Sequence, residues 1–431
     1  MIQVDIDRGR RAQTWPRRWT RLFPLLFLLM MTMQIDKINI SFMFVNRPFA
    51  TQFGLLSSPT RLAFLTGGFL LCYGAFGLLW GPVIQRWGGR RVAVVGMLAW
   101  GVVMALHAVS RTYAELAVLR LALGVIEAFA VPLMAWYSAQ WLPFGERARG
   151  QAAWTVGITV GSIITPLLIE WLLKTVGWQN TFWVSAALPL IPLVYLLALV
   201  PETPRQVAGF PAEELEVIEQ GTLVRQLDQL RIPTRSESVF HFRDTVRNYR
   251  VWLIALIDLG ATAGFYGLTT FGPKYLTQVL HFPVTNMSVV ISAEAVVGGL
   301  GALLLATWSD RVKRRGWFGF GNFLAGALFL SLVLVLPAGL AGACYALASA
   351  TATAALVIIW SLPHAVAERE AIASTVGLAS AVGITLSGLI TISMGGIIGA
   401  ANGNYTPGFL LILLFYLLAA VASGILGAQR Y

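Results

Sequence analysis

Asp36 and Lys37 lie within the run LFPLLFLLMMTMQIDKINISFMF, and Arg120 and Glu127 within ELAVLRLALGVIEAFAVPLMAWY. An ionised side chain at mid-bilayer costs at least ~2.5–3.5 kcal/mol, so such groups face a bundle interior or a water-filled path and act there. Two acids beside two bases are suited to holding an anion and moving a proton. Arg120 and Glu127 are seven residues apart, two helical turns, so they share a face with Glu127 ~10 Å further along the axis. Asp36 lies ~21 Å from the start of its run, which brings Asp36 and Lys37 to about the depth of Arg120. An Asp36–Arg120 ion pair is therefore expected, since it would lessen the burial cost of both charges. Protonation of Asp36 would then free Arg120 for a substrate carboxylate. Glu127, with no base at its own level, is the better proton carrier. The competing reading is a static set of ion pairs that tunes helix packing.

These groups need membrane helices to hold them. Hydrophobic residues make up 57% of the chain, charged residues 12%, and the mean hydropathy is +0.71; a soluble domain carries about twice that charged fraction. A span needs about 20 mostly apolar residues. Twelve stretches qualify, at roughly 22–45, 60–84, 92–110, 113–137, 149–172, 180–200, 250–275, 286–308, 317–338, 341–363, 372–398 and 407–427. The basic leader runs into an apolar stretch long enough to span and lacking a small-residue cleavage site, so no cleavable signal peptide is expected. Cys72 and Cys344 both fall within spans and are read as small core residues, not a disulfide.

The net charge of +11 raises the possibility of a nucleic-acid partner, but its distribution argues against one. With the N-terminus cytoplasmic, Arg47, Arg61, Arg111, Lys174 and Lys274 fall outside and Lys37 and Arg120 in the membrane; every other Lys and Arg is cytoplasmic. That asymmetry is what orientation by basic loops produces. The expectation is a multi-pass protein of a bacterial cytoplasmic (inner) membrane, with both termini cytoplasmic and the lipid bilayer as its surroundings.

The only long polar stretch is 201–249, with six spans before it and six after. GPVIQRWGGRR follows span 2 and WSDRVKRRG follows span 8, at corresponding places in the two halves. Matched clusters of this kind point to related six-helix halves with a substrate site between them at the midplane. The expected organisation is a leader over 1–21, a first bundle over 22–200, a cytoplasmic loop over 201–249 and a second bundle over 250–431.

In this layout the chain resembles the major facilitator superfamily over nearly its whole length. The two basic loops, FGERARG after span 4 and GWQNTF entering span 6 also carry the resemblance. More narrowly, it resembles the anion:cation symporter family. The residues behind the narrower match are Asp36, Lys37, Asn39 and Ser41 in span 1, and Arg120-x-x-x-Gly124-x-x-Glu127 in span 4. FLLCYG, ending at Tyr73 and Gly74, and FYGLTTFGPKYL in span 7 complete it. The resemblance implies an all-α integral membrane protein with twelve transmembrane helices in two pseudo-symmetric six-helix bundles, spans 1, 4, 7 and 10 lining the centre. It also implies gating by the basic loops: Gln85, Arg86, Arg90 and Arg91 in one, Asp310 and Arg311 in the other. Three departures stand out. Gln85 replaces the family's usual acid, Lys37 the usual Arg, and Thr385-x-x-Gly388 the usual Asn-x-x-Gly. Lys is a point charge without the bidentate fork of Arg, so substrate contact there is expected to differ.

Further candidates are Glu294, a second proton site, a gate acid or a static partner to a Lys or a neighbouring hydroxyl, and Asp258, read as near enough to the cytoplasmic end to reach water. Tyr73, Tyr266 and Trp360 are amphipathic aromatics able to stack on or hydrogen-bond a polyol or ring, and Thr385 joins them as a candidate substrate contact. For Trp360, core packing competes. His364 and the other histidines show no metal-ligand spacing. Gly298-Gly299-x-Gly301 follows no strand and reads as helix packing, not a phosphate loop. No triad or paired-Cys motif is present, so neither catalysis, a cofactor nor a metal is expected.

The leading expectation is a monomeric, proton-coupled importer of a small organic anion, a hexonate or hexuronate first and an aromatic carboxylate second. A transporter-like sensor would require a larger signalling surface than 201–249 offers. An exporter of lipophilic cations would favour a central acid without the neighbouring bases Lys37 and Arg120.

Overall fold

The computed structural model describes residues 15–143, 146–219, 242–312, 314–366 and 372–429. Twelve helices among them are long and apolar enough to cross a membrane. They are α1 (Arg17–Met43), α2 (Pro59–Trp87), α3 (Gly89–Val109), α4 (Tyr113–Trp141), α5 (Arg147–Thr175) and α6 (Gly177–Leu199). After the polar stretch come α7 (Tyr249–Val279), α8 (Val284–Val312), α9 (Arg315–Val333), α10 (Ala338–Val366), α11 (Ile372–Ala400) and α12 (Thr406–Ala428).

Local chemistry sets the ends and the breaks. Ser58 and Thr112 cap α2 and α4 with their hydroxyls, and Thr112 forms a reciprocal capping box with Glu115, satisfying two orphan donors. The α4 helix is interrupted at Ala128 and Phe129, directly after Glu127. Pro132 lies four residues beyond Ala128 and has no N–H to return to its carbonyl. Pro189 and Pro192 accompany a similar break in α6. α7 ends in a π-helical turn, Tyr275–Val279, after Pro273.

Burial falls off from the centre outward. In their most apolar windows α1 is 83% and α7 72% buried, against 33% for α6; α1 and α7 are therefore the axial helices of the bundle. The outer helices expose Leu78, Val102, Val194, Leu303 and Val421, as a lipid-facing surface should. Each half is held by its own packing, α1 on α5 and α3 on α6 in the first, α9 on α10 and α12 in the second.

The halves meet along two seams, α2 on α11 and α5 on α8. α2 and α11 run antiparallel. A Cβ on Gly67 would lie 2.5 Å from the Gly388 carbonyl, and one on Gly395 would lie 2.7 Å from that of Pro59. Gly81 occupies the same α2 face as Gly67 and Gly74, at seven-residue steps, yet meets nothing within 4 Å; Gly377 on α11 is equally open. The seam is thus closed towards the start of α2 and parts beyond Gly74. We term the parted end, where α1 begins and α12 finishes, the terminal face, and the closed end the opposite face. On α5–α8, Ser292 Oγ donates to the Ile163 carbonyl at 2.9 Å, and Thr285 Oγ to Glu170 at 2.9 Å, both on the opposite-face side.

Candidate substrate and proton site

α1, α2 and α4 bring the predicted charges together through an aromatic pair that sequence reading divided. Lys37 Nζ lies 3.9 Å over the Tyr73 ring. Tyr73 stacks on Phe69, centroids 5.7 Å apart, and the Arg120 guanidinium sits 5.0 Å over Phe69. Two rings of α2 are thus held between two cations, an arrangement favoured by the negative ring faces. The motif glycine makes this possible: a Cβ on Gly124 would drive into the Phe69 carbonyl and lie 3.0 Å from Cys72 Cβ, so α4 can approach α2 only without a side chain there.

Arg120 is fully buried. Its Nε donates to the Leu65 carbonyl at 3.2 Å, while Nη1 and Nη2 have no hydrogen-bond partner. Glu127 is also fully buried, with both carboxyl oxygens unpartnered, and Lys37 and Arg120 are the cations within its electrostatic reach. Buried polar groups are nearly always satisfied. Two free guanidinium donors and, two turns along the same helix, two free carboxyl oxygens therefore mark a place built for something other than packing.

Asp36 corrects one expectation: it forms no ion pair with Arg120. Its carboxylate accepts from the Trp100 indole N–H at 2.5 Å and from the Asn39 amide at 3.3 Å, and Asn39 also reaches Ser185 Oγ at 3.4 Å. The reason is angular. Consecutive helix residues point ~100° apart, so Lys37 faces α2 while Asp36 faces α3 and α6. Depth along the helix does not resolve that difference. Trp100 was missed, although an indole N–H in the middle of an apolar span is a donor in search of a partner.

In the second half, Glu294 is 4% exposed and accepts from Ser349 Oγ of α10. Asp258 does not reach water. It is 3% exposed, with Oδ2 unpartnered and packed against Gly383 of α11, because α7 is axial. Tyr266 is half-buried, within electrostatic reach of Lys37, Tyr73, Glu127 and Asp258, so it faces the first-half cluster across the midplane. Thr385 lies in the α2–α11 seam against Gly74, where a Cβ would come 2.8 Å from its backbone N; it is a seam residue more than a cavity wall. The side chains of Trp360, His364 and Asp310 lie outside the described residues.

Of the predicted gating residues, Gln85, Arg86, Arg91 and Arg311 are exposed. Arg86, Arg90 and Arg91 line an open cleft with Glu202. Glu202 accepts from the Arg90 backbone N–H at 3.3 Å, and Arg90 Nη2 donates to the Leu197 carbonyl at 3.0 Å. Glu202 was missed; it supplies the acid of this basic cleft, packed against Gly88. Both cysteines are free.

The sequence profile described as Major Facilitator Superfamily matches residues 22–392. The chain is 26% identical over 398 residues to a Cupriavidus necator protein named "Probable sulfoacetate transporter SauU", covering 88% of this chain and 86% of that one. It is 24% identical over 282 residues to the hexuronate transporter of Escherichia coli K12, covering 65% and 63%. Among solved structures, a bacterial homolog of the human lysosomal transporter Spinster, inward-facing and unoccupied, superposes with a TM-score of 0.75 at 18% identity, covering 97% and 98%. That likeness concerns the fold.

Proposed function

The chain belongs to the Major Facilitator Superfamily, and on that footing we propose that it is a proton-coupled carrier importing a small organic anion by alternating access. The observation that carries this reading is the presence of free Arg120 donors and free Glu127 acceptors, two helical turns apart on one face of α4, both fully buried. A substrate carboxylate satisfies the two Nη groups in a charge-assisted bond, the strong kind. Lys37 supplies a second positive end beyond the Phe69–Tyr73 rings, so the site offers positive charge at both ends of an apolar wall. Tyr266 contributes a hydroxyl from α7. A hexonate or hexuronate, with a carboxylate and many hydroxyls, fits this lining, and the hexuronate and sulfoacetate names among the relatives support an anion.

Glu127 is the proton carrier in this reading. Moving an anion inward against a negative-inside potential costs ~2.3 kcal/mol per elementary charge per 100 mV, so accumulation needs a co-transported cation. A protonated Glu127 leaves Arg120 to the substrate and lessens the charge buried when the loaded carrier reorients. Asp36 and Glu294 are the further proton candidates, Asp36 held from behind by Trp100 and Glu294 by Ser349. The terminal face is assigned to the cytoplasm by the basic loops, in a bacterial inner membrane, with Arg86, Arg90, Arg91, Asp310 and Arg311 gating that side. The polar stretch 201–249 then separates the two six-helix halves.

A second reading has its own support: the stacked Phe69 and Tyr73 rings, whose outer faces carry Arg120 and Lys37, would also take an aromatic carboxylate against their edges. One screen in proteoliposomes, comparing hexuronates, hexonates, sulfoacetate and benzoates, decides between them. Coupling is tested by Glu127→Gln, which mimics the protonated acid. Counterflow between equal pools should persist while accumulation driven by an imposed pH gradient is lost. Wild-type accumulation in that variant would remove Glu127 from the role.

A further inference from the structure

Lys274 carries a charge that the site described above does not use. It lies near the opposite-face end of α7, is 4% exposed, and its Nζ donates to the Leu55 carbonyl at 2.9 Å. No carboxylate among the described residues lies within ion-pair distance of it. An ammonium has three donors, and a buried one held by a single neutral carbonyl is an expensive arrangement. The other buried cations among the described residues with no carboxylate at ion-pair distance are Lys37 and Arg120, both of which the substrate reading already employs.

The connection is between halves. Leu55 precedes α2 and Lys274 belongs to α7, so the bond must break whenever the opposite face opens. Pro273 precedes the lysine and the π-helical turn follows it at once; such turns recur at functional sites. The neighbouring cations on this face are differently placed. Lys174 is paired with Glu170, and Arg47, Arg61 and Arg111 are exposed and hence screened by salt. Lys274 is the buried cation that opening would uncover without a counter-charge.

We propose that Lys274 is the entry contact for the substrate anion when the opposite face is open, with the Leu55 carbonyl occupying the same ammonium when it is closed. The exchange is favourable in sense, since a carboxylate is a stronger acceptor than a peptide carbonyl. From Lys274 inward along α7 towards the two-cation site come Thr270, one turn away with its buried hydroxyl unpartnered, then Thr269, and then Tyr266, eight residues and ~12 Å from the lysine. The inference rests on the anion-import reading and adds a site to it.

The experiment is sided. Wild type, Lys274→Met and Lys274→Arg are assayed in right-side-out and inverted membrane vesicles with labelled glucuronate, or benzoate where the wild type carries that instead. Met keeps the apolar stem and removes the buried charge, a change that a fold tolerates well. The expected result is a KM for entry from the opposite face raised about ten-fold or more in Lys274→Met, the scale of one lost hydrogen bond to a charged group. Lys274→Arg should recover most of the loss, and KM from the terminal face should not move. Were Lys274 only a latch on Leu55, Lys274→Met would loosen the opposite face, leaving KM there unchanged or lower; that outcome overturns the proposal. A wild type that carries neither anion overturns the import reading itself, and this with it.

Discussion

At the scale of single residues, Arg120 and Asp36 divide two tasks that their similar depth seemed to join. Arg120 has two free donors, so Arg120→Ala should weaken anion binding by about ten- to hundred-fold, the range of a lost charge-assisted bond or two. Titration of purified protein with a labelled hexuronate checks this, and unchanged affinity would reduce α4 to a packing element. Asp36 is anchored by Trp100 and Asn39. Asp36→Asn keeps an oxygen for the indole N–H, whereas Asp36→Ala strands a buried donor and should cost ~1–3 kcal/mol of stability. Thermal unfolding of the two variants in detergent should separate them clearly, with the alanine form melting lower. The four charges were legible because apolar runs expose every exception to them. Their partners were not, since Phe69, Trp100 and the Leu65 carbonyl come from other helices and sequence spacing carries no azimuth between helices.

At the scale of elements, the glycines of α2 and α11 act as a fitted surface. Gly67 meets the Gly388 carbonyl, and Gly388 in turn would place a Cβ 2.6 Å from the Gly67 carbonyl. Gly67→Ala should therefore cost about 1–3 kcal/mol by overpacking in the state with the opposite face closed, while Gly81→Ala, in open space, should cost little. Melting temperatures of the pair measure the contrast. The first turn of α1 is clamped in another way. Glu146 accepts from Arg18 and from the Trp19 indole, and Glu214 caps the α1 backbone at Arg17 and Arg18. The hydrogen bond from Arg18, seconded by that from Trp19, holds the Glu146 carboxyl below its ordinary 4.5. A depressed carboxyl stabilises the fold above its unfolded value and loses that contribution as the pH falls through the lowered one. Wild type should thus lose more stability than Glu146→Gln on acidification below about 4.5, as pH-dependent melting would report. Hydropathy located all twelve spans within a few residues. The breaks in α4 and α6 were signalled by Pro132, Pro189 and Pro192 but not read, because a proline within a span can be absorbed by neighbours.

At the scale of the whole molecule, the state of the carrier is set by which ends of the two seams are joined. On the opposite face the polar joint is Glu170 of α5, 7% exposed, which takes hydrogen bonds from Lys174 and from Thr285 of α8; Lys174 also donates to Thr285 at 3.1 Å. On the terminal face Gly81 and Gly377 stand free. The sequence showed two halves but not this asymmetry, since one sequence must serve both states and only the contacts made at a given moment distinguish them. Glu170→Gln tests the balance. It keeps the size of the side chain but removes the charge to which Thr285 donates across the seam, weakening a charged hydrogen bond worth about 1.5–3 kcal/mol. A ligand-free two-state equilibrium biased by that amount moves about ten- to hundred-fold towards the form with the opposite face open. Cysteines placed at Gly81 or Gly377, with Cys72 and Cys344 replaced by alanine, report the shift from the other end. Each should react readily with a water-soluble maleimide in the parent protein and at least several-fold more slowly with Glu170→Gln added, as α2 closes on α11 at the terminal face. Equal labelling rates in the two backgrounds would mean that Glu170 holds α5 to α8 without governing which face is open.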